Sequence, residues 1–112
     1  MEDCSESVVE ERWVNVLAHI WIQVRWRKIR GRRHIDVFEH RLEYAKYEAD
    51  VASALQRLAN SLSIQGVVAP IDDIQGLRRC NETSMDVLRR WTKLLALKAS
   101  LRARELRGGG ES

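Results

Sequence analysis

The chain has 112 residues, of which 45% are hydrophobic and 31% charged, and a net charge of +3. That length allows one domain, or one domain with a tail, around a modest core. The ordinary composition and near-balanced charge exclude low-complexity and collagen-like chains, and one Pro with six Gly suits an all-helical fold with few turns.

The charge is uneven along the chain. Residues 1–11 carry five acids and no base, and residues 12–34 carry seven bases and no acid. Residues 35–65 hold five acids and three bases, and residues 83–112 hold seven bases and three acids. Two basic blocks around a middle that is not basic suggest an anionic partner.

The first helix is predicted from about Ser7 to Arg30, capped by Ser5 or Ser7, with Glu6, Glu10 and Glu11 near its positive end. Its core stripe reads Val9, Trp13, Val16, Leu17, Ile20, Trp21 and Val24, and Gly31 is its stop signal. The most apolar run, Val14–Val24, is eleven residues long, too short to span a bilayer. The acidic N-terminus is the opposite of a secretory or mitochondrial leader.

A second helix is predicted from Arg33 to Ile64, uninterrupted by Gly or Pro. Ile35, Phe38, Leu42, Ala45, Ala49 and Ala52 recur in steps of three and four, a helical period. Beyond Ala52 the stripe moves around to Leu55, Leu58 and Leu62. As one piece this helix would be about 45–50 Å long at about 1.5 Å per residue. A short loop before it folds helix one back along its first half. The second half, with Val51, Leu55, Leu58 and Leu62, then needs cover from the C-terminal segment or from a second copy. Two such hairpins would form a two-fold four-helix bundle.

Gln65–Gly76 is the main break, with a short helix expected from Pro70 or Ile71 to about Arg79. A last helix is expected from Thr83 or Ser84 to about Leu106. Its apolar face is read as Leu88, Trp91, Leu95, Leu94 and Leu101, and Asp86 stands three residues after Thr83 as in a capping box. The expected division is a helical hairpin core over 1–65, a linker with a short helix over 66–82, a basic helix over 83–107 and a disordered tail over 108–112. Cys4 and Cys80 lie far apart with no metal or redox spacing, which reads as two reduced thiols in an intracellular, cytoplasmic chain.

No catalytic motif appears: there is no G-x-S-x-G and no P-loop. Glu39, His40 and Glu43 share a face, but a solvated polar face explains them as well as a metal half-site does, and no metal or cofactor is expected. Trp13, Trp21 and Trp91 read as core. Trp26 lies opposite the stripe, between Arg25 and Arg27. The cluster Arg25–Arg33, RWRKIRGRR, is the strongest chemical signal. Arginine forks suit phosphate oxygens, although a solubilising turn, nuclear import or a membrane surface also accommodates such a cluster.

Residues 32–69 resemble the nodavirus-type double-stranded-RNA-binding suppressors of RNA silencing. The opening Arg32, Arg33, Ile35 and Asp36, the central Leu42, Ala45 and Lys46, the run Gln56–Leu62 with Arg57, and Val67, Val68 and Ala69 carry the likeness. Tyr44 departs from it, standing where the family carries a lysine. The resemblance implies a homodimeric four-helix bundle lying along A-form RNA and touching phosphates and 2′-hydroxyls without reading sequence. By sequestering duplexes it would block a Dicer-type nuclease and small-RNA loading in a host cytoplasm. The residues expected at RNA are Arg30, Arg32, Arg33, Arg41, Lys46, Ser53, Arg57 and Asn60. On a straight helix Lys46, Ser53, Arg57 and Asn60 share a side that Arg33 and Arg41 do not. The alternative reading is a helical homodimeric protein-interaction module that binds no nucleic acid.

Overall fold

The computed structural model describes residues 3–24 and 31–107. The expected end of helix one at Arg30, most of the Arg25–Arg33 cluster, Trp26 and the tail 108–112 lie outside the described residues. Six helices make up the secondary structure of the rest: α1 (Glu6–Gln23), α2 (His34–Ala45), α3 (Val51–Ser61), α4 (Ile71–Arg79), α5 (Asn81–Arg90) and α6 (Thr92–Leu106).

The hydrophobic pattern builds α1 into the centre. Val9, Trp13, Val14, Val16, Leu17, Ala18 and Ile20 are all buried, so more than one face of α1 is covered. Its main neighbour is α6, with α4 and α5 against other sides. This differs from the expected antiparallel hairpin of helices one and two. α2 meets α1 through Phe38, whose ring sits 5.0 Å from that of Trp21 in an edge-on arrangement. The helix also ends sooner than Gly31. Val24 is extended, and the Gln23 amide donates to the His19 carbonyl at 2.8 Å and the Val68 carbonyl at 2.6 Å.

Charge explains why α1 and α6 find each other. Glu6 pairs with Arg90 at 2.9 Å, Glu10 with Lys98, and Glu11 with Arg102 at 2.8 Å. Arg90 closes α5, and Lys98 and Arg102 follow in ascending order along α6 as their acids ascend along α1, so α1 and α6 run parallel. The Glu11 hydrogen bond raises the pKa of Arg102, against desolvation by partial burial. The acidic first block and the basic last block of the sequence thus neutralise each other inside one molecule. Such exposed pairs are each worth less than about 1 kcal/mol, so they set register while apolar burial holds the helices together.

The predicted long helix is two helices. Residues 46–50 form turns and bends between α2 and α3. Asp50 caps α3, its carboxylate accepting from the Ser53 backbone N–H at 2.7 Å, while the Val51 N–H donates to Asn81 Oδ1 at 2.8 Å. These contacts satisfy the first N–H groups of α3, which a helix start leaves without intrahelical partners. The bend turns Val51, Ala54, Leu55 and Leu58 into the core of the same chain. The face expected to need cover from the C-terminal segment or from a second copy is therefore covered within the chain, while Ala49 and Ala52 of the expected stripe are exposed.

The C-terminal half is corrected in three places. α4 starts where predicted, with Asp72 and Asp73 in its first turn. The next helix begins at Asn81, so Thr83 lies inside α5 and caps nothing. Trp91 interrupts the predicted last helix between α5 and α6. The phase change keeps Leu88 and Leu95 buried but leaves Trp91, Leu94 and Leu101 outside. The core is continuous from Val9 to Ala99, so the basic helix is part of it.

Cys4 and Cys80 form a disulfide, with their Cα atoms 5.5 Å apart. The expectation of two separate reduced thiols is corrected: folding α4 and α5 onto α1 returns residue 80 to the start of the chain.

Candidate functional site: a basic cleft between α2 and α3

The break at 46–50 gives the molecule a cleft that a straight helix could not form. α2 contributes His40, Arg41 and Tyr44, and α3 contributes Arg57, Asn60 and Ser61, around about 470 Å³. Helical spacing places His40 and Tyr44 one turn apart, and their rings stand edge-on at 5.0 Å. Arg57 and Asn60 are likewise neighbours on the outer side of α3, whose inner side carries Leu55 and Leu58.

Two arginines face this cleft in different states. The Arg57 guanidinium lies 5.8 Å over the Tyr44 ring, a cation–π placement that holds the cation at the mouth. Arg41 is half-buried, and its Nε is buried with no hydrogen-bond partner. A buried donor on a charged group is costly when unpaired. Asn60 Oδ1 accepts from Gln56 at 2.8 Å, and Ser61 Oγ donates to the Leu58 carbonyl at 3.0 Å.

The structure brings together three of the eight expected residues: Arg41, Arg57 and Asn60. The others go elsewhere. Arg30 lies outside the described residues. Arg32 is exposed just before α2. Arg33, at the start of α2, makes a two-point contact with Asp36, at 3.1 Å through both Nε and Nη2. That hydrogen bonding raises the arginine and lowers the Asp36 carboxyl. Lys46 closes α2, 2.7 Å from Glu43 and 5.3 Å over the Tyr47 ring, and its pKa is raised by the Glu43 hydrogen bond. It borders a different hollow of about 360 Å³, shared with Arg89, Trp91 and Lys93. Ser53 serves the α3 cap through its backbone.

Sequence reasoning missed His40, Tyr44 and Ser61. The spacing of His40, Arg41 and Tyr44 was visible, but a straight helix aimed them away from Arg57. Chemically, the cleft offers guanidinium forks for oxyanions, an aromatic edge and two small polar groups. Among the described residues, no group of three His, Cys, Asp or Glu could hold a metal ion, and no helix is long and apolar enough to cross a membrane. No protein-family model, characterised protein or solved structure matches this chain.

Proposed function

We propose that this protein binds double-stranded RNA without reading its sequence, through the phosphate backbone, at the α2–α3 cleft. The observation that carries the reading is the meeting of Arg41, the tyrosine-held Arg57 and Asn60 in one cleft. RNA phosphates suit the two guanidiniums of the cleft, and Asn60 suits a 2′-hydroxyl. Arg32 extends the cationic surface at the start of α2. Duplex RNA is recognised by shape, backbone and 2′-hydroxyl contacts of this kind. The likeness of residues 32–69 to silencing suppressors supports the same reading. In that role, a covered duplex is withheld from a Dicer-type nuclease and from small-RNA loading, with no cofactor or catalytic residue involved. The bend at 46–50 changes the expected contact from a continuous rail to a localised cleft, with Lys46 at a separate hollow and Ser53 engaged in the α3 cap.

The test is a gel shift with duplex RNA, single-stranded RNA and duplex DNA of equal length across a salt series. Duplex RNA should be preferred, with affinity falling steeply as salt rises because phosphate contacts release counterions. Arg41→Ala and Arg57→Ala should each weaken binding roughly 10–100-fold, as expected for hydrogen bonds to a charged group, with helical circular dichroism unchanged. Lys46→Ala should have a smaller effect. Equal affinity for all three nucleic acids, or no binding at low salt, would overturn the proposal.

A second reading, a protein-interaction module without nucleic acid, is favoured by one separate observation. Of the nine exposed large hydrophobics among the described residues, five lie from Trp91 to Leu106, concentrated on and around α6.

A further inference from the structure

α6 is apolar on two sides. Its inner face, Leu95, Ala96, Ala99 and Ala103, is buried. On its outer side Leu94, Leu97 and Leu101 are 37%, 49% and 49% exposed, three and four residues apart along one ridge. Trp91, 43% exposed, borders the same hollow as Leu94 at the head of that ridge. A surface helix normally turns a polar face outward.

The charges beside the ridge bear on what covers it. Lys93 stands one turn before Leu97, and Arg104 stands three residues after Leu101, so both follow one edge. Both are exposed, and neither has a hydrogen-bond or ion-pair partner among the described residues. On the other edge Lys98 is held by Glu10, and Arg102 by Glu11 and Glu105. The engaged groups leave Lys93 and Arg104 as the cations beside the ridge that are open to a new anion.

We infer that this ridge rests on an anionic lipid surface, with α6 lying in the plane of the headgroups. The inference is independent of whether the α2–α3 cleft binds RNA. Shape favours lipid: the ridge is the convex side of one helix, whereas a helical partner is gripped by a groove. The leucine arms suit the depth of roughly 5–10 Å at which in-plane helices sit. Tryptophan favours the boundary between acyl chains and water, and Lys and Arg arms reach phosphates while their stems stay in apolar surroundings. Charge favours lipid as well. Glu105 has a side chain 73% exposed, and an acidic helix with carboxylates fixed along both edges would bring some against it. Lipid headgroups diffuse, so anionic ones gather under Lys93 and Arg104 and leave Glu105 to water. A second copy laid antiparallel would set the Lys93–Arg104 edge against itself, like charge against like.

The size of the ridge sets the expected strength. Three part-exposed leucines and a tryptophan are comparable to a single acyl chain, whose membrane binding is marginal and reversible at about 10⁴ M⁻¹. An apparent dissociation constant of about 0.1–1 mM lipid follows. Two free cations should favour an anionic surface over a neutral one by roughly 10–30-fold.

Flotation of the full chain tests it, with vesicles of phosphatidylcholine alone and of an equimolar mixture with phosphatidylserine, over about 0.05–3 mM lipid to bracket that range. The chain should float with the mixed vesicles. Leu97→Glu should raise the apparent constant at least about tenfold, with unchanged circular dichroism because Leu97 is half-exposed. The double variant Lys93→Ser with Arg104→Ser should bring the mixed vesicles down to the level of phosphatidylcholine alone. No binding to either vesicle overturns the proposal, as does equal binding to both. Binding indifferent to Leu97→Glu also overturns it, since charge alone would then hold the chain. A chain that ignores the vesicles but self-associates, or holds a synthetic acidic amphipathic peptide, through Leu97 overturns it in favour of that occupant.

Discussion

The Cys4–Cys80 bond closes a loop of 76 residues, so its removal should act mainly on the unfolded chain. Cys4 is exposed and Cys80 is buried, and Cys4→Ser leaves the packing around residue 80 in place. Loop-closure entropy for a loop of this length is about 4.5 kcal/mol at 25 °C, an upper figure because engineered and native bridges often deliver less. With a urea slope of about 1–3 kcal/mol/M for a small domain, the midpoint should fall by up to roughly 1.5–4.5 M. The slope itself should steepen, since the unbridged chain exposes more surface when it unfolds. The assay compares urea unfolding of the oxidised parent, the reduced parent and Cys4→Ser. Reduction should lower the parent to the level of Cys4→Ser and leave that variant unmoved. Equal midpoints for the oxidised parent and Cys4→Ser would refute the reasoning.

Three further outcomes follow from particular contacts. Gly76 lies inside α4, and a Cβ there would sit 2.5 Å from Arg12 Nε and 2.6 Å from its Cζ. Gly76→Ala should therefore push Arg12 off Asp73, its partner at 3.1 Å. The arginine can give way, so loss of this pair, about 1 kcal/mol, should roughly cancel the helix-propensity gain of about 1 kcal/mol, and a melting temperature lowered by more than about 10 °C would contradict this. Trp13→Phe removes the indole hydrogen bond to the buried Ser84 carbonyl, 2.8 Å in length; it should cost about 1–3 kcal/mol by chemical denaturation, and a cost near zero would mean that the carbonyl finds another donor. Asp50 caps α3, and the hydrogen bond from the Ser53 backbone holds its carboxyl below the ordinary range. That stabilisation is present above the unfolded value and lost as the pH falls through the lowered folded value. Asp50→Asn keeps a capping oxygen but cannot titrate, so its stability should fall less steeply than the parent's below roughly pH 4; parallel acid limbs would argue against the cap.

The elements set by local chemistry were legible, and those set by distant contacts were not. The stripe Val9, Trp13, Val16, Leu17 and Ile20 is buried as its spacing implies, and Pro70 does precede a helix. The break at 46–50 carries no Gly or Pro, yet two signs of it were present. The apolar stripe changed phase after Ala52, and Asp50 stands three residues before Ser53 in a capping arrangement. Reading the change of phase as a second face of one helix hid the bend, and with it the meeting of Arg41 and Arg57. The opposite charges of residues 1–11 and 83–112 were visible as well, but were read outward to a partner; they meet in Glu6–Arg90 and Glu11–Arg102. The Cys4–Cys80 pairing had no local signal, because only the tertiary fold brings residue 80 to the start of the chain.

The parallel pairing of α1 with α6 also orders events during synthesis. The C-terminal end of α6 at Leu106 lies 83 residues after that of α1 at Gln23, and at about 5–20 residues per second α6 is complete roughly 4–17 s after α1. For that interval the apolar side of α1 that receives Leu95 and Ala99 has no native cover. The nascent chain must hold a finished, sticky helix in waiting, so a chaperone that shields α1 should raise the yield of folded protein more than one that acts after release.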